Sequence, residues 1–220
     1  RIKGVPRSRP DVYALEAIYV HEEPVVELKL QALRIGDLGI TALPNEVYGL
    51  TGIKLKLQSP LPLTFNIELA NGAQGYIPPP EQHHLGGYTT WPARTAGLEV
   101  EAEPRIVETL IGLLEKVSGK PRQMRTIPED DYLKAVRASK PQSLWRMDDL
   151  TGATCTDAIG KNNATYEMGV AFYLPGRSGA DLEFSEMAPS RSAQFAGGRA
   201  IVGFNGSEAY TLEFWFWNGM

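Results

Sequence analysis

Apolar residues in the first part of the chain fall into short, strand-length runs. Residues 30–35 and 39–43 flank the turn signal Gly36-Asp37, and a third run, 63–69, stops at Asn71-Gly72. Helical spacing governs other stretches. Tyr13, Ala14, Ala17 and Ile18 can share one face of a helix over 11–21. Val47, Leu50, Ile53 and Leu57 fall at helical spacing, so a helix is expected over 46–57. Gly49 and Gly52 weaken it by about 1 kcal/mol each relative to Ala. The clearest helix is 104–117. Pro104 suits a first turn, Ile106, Val107, Leu110, Leu113 and Leu114 form one stripe, and Gly119 stops it. The expected order is helix, strands, helix, strand, loop, helix: a mixed α/β unit over residues 1–118.

The pattern changes after Gly119. Residues 119–142 are charged, with little apolar period, and read as a connector. A short helix is expected within it over 128–138, with acids first and bases last. From 143 the chain breaks into short strands punctuated by Gly, Asn and Asp, including a Gly-rich stretch at 176–179 and an aromatic run at 210–217. That spacing predicts an all-β sandwich, here incomplete, over 143–220.

Composition narrows the function classes. A formal charge of −4 over 220 residues gives no electrostatic case for nucleic acid. No apolar run approaches the ~20 residues of a membrane-spanning helix. The single cysteine, Cys155, excludes an intrachain disulfide framework and reads as a small buried hydrophobe. The sequence opens at Arg1 with no apolar signal segment, and its last strand-like run has no partner after it. The expectation is therefore a piece of a longer protein.

Candidate chemistry lies just past the apolar runs, where α/β enzymes place it. Glu46 follows Pro44-Asn45, and Tyr76 follows Gly75. Each also has a plain structural reading. Glu46 fits a first-turn helix acid, and Tyr76 fits a packing tyrosine. His83-His84 invites a metal reading, but adjacent side chains diverge and a solvated loop fits as well. Arg34 and Asp37 either pair or only shape their turn. Tyr88 and Trp91 either line a substrate mouth or cover the loop. Asp157, Asn162 and Asn163 are calcium-ligand types and equally the residues turns need.

Four motifs in order carry a resemblance: Arg34-Ile35-Gly36-Asp37, Pro44-Asn45-Glu46, Asn71 through Tyr76, and Gly86-Gly87-Tyr88. Together they resemble the neutral ceramidase family over residues 11–118, at the C-terminal end of its catalytic domain. Asn45 stands where that family usually has Gly. The resemblance implies a zinc-dependent amide hydrolase whose metal is held by two His, a Glu and a Tyr. It places the Glu on Glu46 and the Tyr on Tyr76, and both histidines upstream, at positions that His21, His83 and His84 do not match. It implies a zinc-acidified water attacking the carbonyl of an N-acyl lipid, with the general base and oxyanion partners also upstream. These residues alone should then be inactive. The implied location is extracytoplasmic, secreted or periplasmic. Residues 143–220, with Trp145-Arg146-Met147-Asp148, Gly152 and Asp157 through Gly160, resemble the start of a laminin G-like, concanavalin A-like jelly roll. That likeness implies a glycan ligand and a Ca2+ site at most. Two other classes stay open: a carbohydrate- or surface-binding module on a non-catalytic α/β scaffold, and a structural α/β domain that has lost its metal.

Overall fold

The computed structural model describes residues 5–125, 129, 131–150, 153–176, 190–203 and 209–217. Gly152, the end of the Gly-rich stretch at 179 and Phe204 lie outside them.

The chain is a mixed α and β structure. Helix α1 (Arg9–Glu22) starts at Ser8, whose hydroxyl accepts the Asp11 N–H while the Asp11 carboxylate accepts the Ser8 N–H. This reciprocal cap satisfies two otherwise unpaired donors. No α1 residue is fully buried. The helix docks instead through Glu16, which grips Arg94, and through Tyr13, edge-on to Trp91 with ring centroids 5.1 Å apart.

Strands β1 (Gln31–Ile35) and β2 (Leu38–Ala42) form an antiparallel hairpin. Gly36 sits at φ +59 in its two-residue turn, a conformation open to glycine. Arg34 does not pair with Asp37. Its guanidinium donates to the carbonyls of Gly36 (2.7 Å) and Ser118 (3.3 Å), tying the turn to the end of a distant helix. A short strand, β3 (Glu46–Val47), comes next, and helix α2 (Gly49–Gln58) leads to β4 (Leu63–Ile67). The α2 connection lets β4 pair parallel to β2, giving the order β1-β2-β4. The helix expected over 46–57 therefore begins three residues late. Glu46 and Val47 are drawn into a ladder with β5 (Tyr76–Ile77).

Helix α3 (Pro80–Leu85) precedes α4 (Ala102–Ser118), which ends at Gly119 in the left-handed conformation. The α4 stripe, with Ile106, Leu110, Ile111 and Leu114 buried, packs with Leu43, Leu55 and Ile77 as one core. A Cβ on Gly39 would lie 3.0 Å from both Leu114 Cδ2 and Leu61 Cδ1, so glycine sets how closely α4 approaches the sheet. The opposite sheet face is apolar too. Ile35, Leu38 and Leu63 are register partners there, as are Leu33, Ile40 and Phe65. Leu33, Ile35, Leu63 and Phe65 on it are exposed.

Three charged side chains are buried where α2, α3 and α4 meet. Lys54 Nζ lies 3.1 Å and 3.2 Å from the two Glu103 oxygens and 3.5 Å from Glu81 Oε1. Glu103 is 0% exposed, and Lys54 and Glu81 are 7% exposed.

The start of the connector is not free of the first unit. Arg122 forks between Glu108 and Glu115, and the N–H groups of Gln123 and Arg125 donate to Gln58 and Leu57 carbonyls. Helix α5 (Asp131–Ala138) follows. Strands β6 (Thr154–Cys155), β7 (Ala164–Tyr166) and β10 (Ala200–Ile201) form one antiparallel sheet in the order β10-β7-β6. Strands β8 (Val170–Pro175) and β9 (Arg191–Phe195) form another. They surround a separate small core of Cys155, Ala164, Tyr166 and Val170. The aromatic run at 210–217, expected as a strand, joins no sheet among the described residues, and its Phe214, Phe216 and Trp217 side chains are exposed. High strand propensity alone does not make a strand. A neighbouring edge must take up the backbone hydrogen bonds. No helix among the described residues is long and apolar enough to cross a membrane.

Candidate functional site

The site is built on the two-residue parallel ladder of β3 and β5. Its approach is pinned by backbone bonds. Leu43 N–H donates to Ile67 O, Ala70 N–H to Leu43 O, Gln74 N–H to Pro44 O and Glu46 N–H to Gly75 O. Asn45 is fully buried, and its amide donates to Gln74 O at 3.0 Å. It is not among the residues with positive φ. This turn therefore does not need a glycine, and the Asn side chain ties the turn to the next loop.

Glu46 and Tyr76 are direct register partners, so both project from matching positions of adjacent strands. Neither stands in a strand-end loop, where the sequence pattern put them. Both line one open cavity of about 510 Å³ with Tyr48, Glu68, Tyr88 and Thr89. Tyr88 stands edge-on to Tyr76 with centroids 5.4 Å apart. Tyr48 and Thr89 hydroxyls are 2.6 Å apart, and Glu68 Oε2 accepts the Val47 N–H at 3.1 Å.

The Tyr76 phenol is pushed up to about 12. The Tyr88 hydroxyl beside it is the largest cause, followed by burial and the Glu46 charge. Without a cation it is therefore a neutral donor at physiological pH. A divalent cation between Tyr76 and Glu46 would reverse that balance, since its charge favours the phenolate. As a donor set, a carboxylate and a phenol side by side suit zinc as two of the four ligands it takes. Among the described residues no three His, Cys, Asp or Glu side chains gather as a metal cluster.

Gly75 makes the placement of Tyr76 possible. It has φ +74, and a Cβ there would collide with the Thr95 carbonyl, 2.6 Å from its carbon. Tyr76 N–H donates to that same carbonyl at 2.8 Å. Gly75→Ala is expected to displace β5 and to cost on the order of 1–3 kcal/mol through backbone strain. A urea midpoint unchanged from the parent would contradict this.

Tyr88 belongs to the cavity wall, whereas Trp91 packs on Tyr13 of α1 and does not line the cavity. His83 and His84 are on α3, not in a loop. Glu68, Tyr48 and Thr89 escaped the sequence reading. A signal for Glu68 existed in the alternation Thr64, Asn66, Glu68, which continues one face of β4 past its end.

Asp157, Asn162 and Asn163, read as candidate calcium ligands, come together as a turn. The Asp157 oxygens accept N–H groups from Leu144, Ile159, Gly160 and Asn162 at 2.9–3.1 Å. Asn163 Oδ1 accepts the Asp157 N–H, and the Asn162 carbonyl accepts Trp145 Nε1–H. Burial, the largest single influence on the Asp157 carboxyl, raises its pKa. The four N–H donors together outweigh it and hold the group below the usual range. A depressed folded value means stability that is present above the unfolded pKa of about 3.9 and lost as pH falls below it. Asp157→Asn should cost about 1–3 kcal/mol at pH 7 and flatten the loss of stability below pH 4. Thermal melts at pH 7 and pH 3 check both, and equal pH dependence in parent and variant would contradict the assignment.

Compared with known proteins, the chain matches no family model, no curated protein and no solved structure.

Proposed function

We propose that residues 1–118 are part of a zinc-dependent amide hydrolase resembling neutral ceramidase, supplying Glu46 and Tyr76 as two oxygen ligands. The two histidine ligands belong upstream in the full-length protein. The observation that carries this reading is the in-register pairing of Glu46 and Tyr76 on one cavity wall. A bound zinc supplies Lewis-acid polarisation and a water acidified toward a pKa of about 7. Glu46 brings a fixed negative charge on a short, backbone-pinned strand. Tyr76 brings a phenol whose proton leaves only under a nearby cation. Tyr88, edge-on to Tyr76, holds that ring and borders the space for an N-acyl substrate. The reading implies an extracytoplasmic protein acting on an N-acyl lipid.

The finer fold of the second half belongs to the same proposal. Residues 143–220 are read as the start of a laminin G-like sandwich, in keeping with two small antiparallel sheets around their own core. A carbohydrate- or surface-binding role for this half is the second reading. It is favoured by the exposed aromatic side chains of Tyr210, Phe214, Trp215 and Trp217, which offer faces for sugar rings.

The testing experiment measures bound zinc and hydrolysis of a fluorescent N-acyl sphingosine in the full-length protein and its Glu46 and Tyr76 variants. Amide hydrolysis that survives removal of zinc by a chelator overturns the reading.

A further inference from the structure

The cavity that holds Glu46 and Tyr76 carries a second carboxylate, Glu68. The Val47 N–H, 3.1 Å from Glu68 Oε2, ties that side chain to β3, one residue from Glu46. The remaining polar side chains of the wall are hydroxyls, those of Tyr48, Tyr76, Tyr88 and Thr89. No Lys, Arg or His lines it among the described residues. The ionised groups of the wall are thus two carboxylates, set among three tyrosine rings.

This charge pattern distinguishes the two halves of an amide. In hydrolysis, the water oxygen bonds to the carbonyl carbon. The C–N bond breaks, its electron pair stays on nitrogen, and nitrogen takes a proton from the water. At neutral pH the acid product passes its own proton to the amine, leaving one carboxylate and one ammonium. With Glu46 taken by the metal, the free Glu68 carboxylate repels the first product and attracts the second. Tyrosine faces add to the attraction for an organic cation.

We propose that Glu68 is the specificity residue for the amine half of the substrate, holding the ammonium of the released amine against the cavity wall. This rests on the amide-hydrolase reading, in which Glu46 is taken by the metal and Glu68 is the carboxylate left over. Glu68 is solvent-facing, so its effect has the modest size of an exposed ion pair.

The test titrates hexylammonium, hexanol and hexanoate into the metal-free 220-residue chain and follows tyrosine ring signals by NMR. Hexylammonium should bind more tightly than hexanol, and hexanoate most weakly, with the ammonium preference falling as salt is raised. Glu68→Gln keeps an acceptor for Val47 N–H. It should weaken hexylammonium by about two- to fivefold and leave hexanol unchanged. Glu68→Asp should retain part of the preference. Glu99→Gln, an exposed carboxylate outside the cavity, should change nothing. Equal hexylammonium affinity in parent and Glu68→Gln overturns the proposal. If Glu68→Gln does not fold, the parent's own ranking decides, and hexanoate binding as tightly as hexylammonium overturns it. In the full-length protein, amine product inhibition should weaken in Glu68→Gln. A parent chain without the ammonium preference, in a full-length protein that binds zinc and turns over, removes the role of Glu68 alone. An ammonium preference in the parent chain, in a full-length protein without zinc or turnover, removes the amide-hydrolase reading alone.

Discussion

Under the proposed amide-hydrolase reading, Glu46→Gln and Tyr76→Phe should each lower zinc content or abolish amide hydrolysis in the full-length protein while leaving the melting curve nearly unchanged. Glu46→Gln keeps size and removes the charge. Tyr76→Phe removes only the donor oxygen and keeps the ring that meets Tyr88 edge-on. Loss of a mere supporting partner of a metal ligand costs about 10–100-fold in affinity or activity. Loss of a ligand should cost at least that. Both residues are half-buried and lie outside the main core, so neither change opens a cavity there. Metal analysis and hydrolysis of a fluorescent N-acyl sphingosine measure the effect. Parent-level zinc and turnover in both variants would remove the site.

The largest stability effect is expected at Lys54. Lys54→Met leaves the carboxylates of Glu81 and Glu103 buried without their cation, and breaking a buried ion group in this way costs about 3–5 kcal/mol. The loss should appear as a lower urea midpoint with an unchanged slope. Replacing all three by apolar residues of similar volume, as Lys54→Met with Glu81→Leu and Glu103→Leu, should recover most of it, because the desolvation cost then disappears along with the attraction. A midpoint for Lys54→Met equal to the parent's would show that the triad contributes nothing. A triple variant no more stable than Lys54→Met alone would show that the cost is one of shape, not charge.

The elements legible in the sequence were those whose signal is local. The α4 stripe and its Gly119 stop, and the β1–β2 hairpin around Gly36, depend on residues within a turn or two of each other. The Asp157 turn is equally local, since each donor lies within thirteen residues of its acceptor, but its residue types also suit a calcium site, and the hydrogen bonds show the turn. Where the local signal was ambiguous, reading failed. Val47 belongs equally to a helical stripe and to a strand, and only the arrival of Tyr76–Ile77 alongside decides for strand.

The candidate site divides in the same way. The sequence marked Glu46, Tyr76 and Tyr88 through motif order, but it could not pair Glu46 with Tyr76, thirty residues apart, in one register. It also could not assign Trp91 to the α1 contact or bring Glu68 to the cavity. The run at 210–217 has every local property of a strand, yet it joins no sheet among the described residues. No local pattern marks Lys54, Glu81 and Glu103 as buried, because nothing nearby in sequence tells which face of a helix another helix will cover. By itself the sequence determined the alternation of helix and strand, the turns, the apolar stripes and the residues able to do chemistry. These follow from side-chain period and backbone preference. The tertiary structure alone decided which strands pair, which charges are buried and which hydroxyls and carboxylates share a cavity. Those outcomes depend on contacts between residues tens of positions apart.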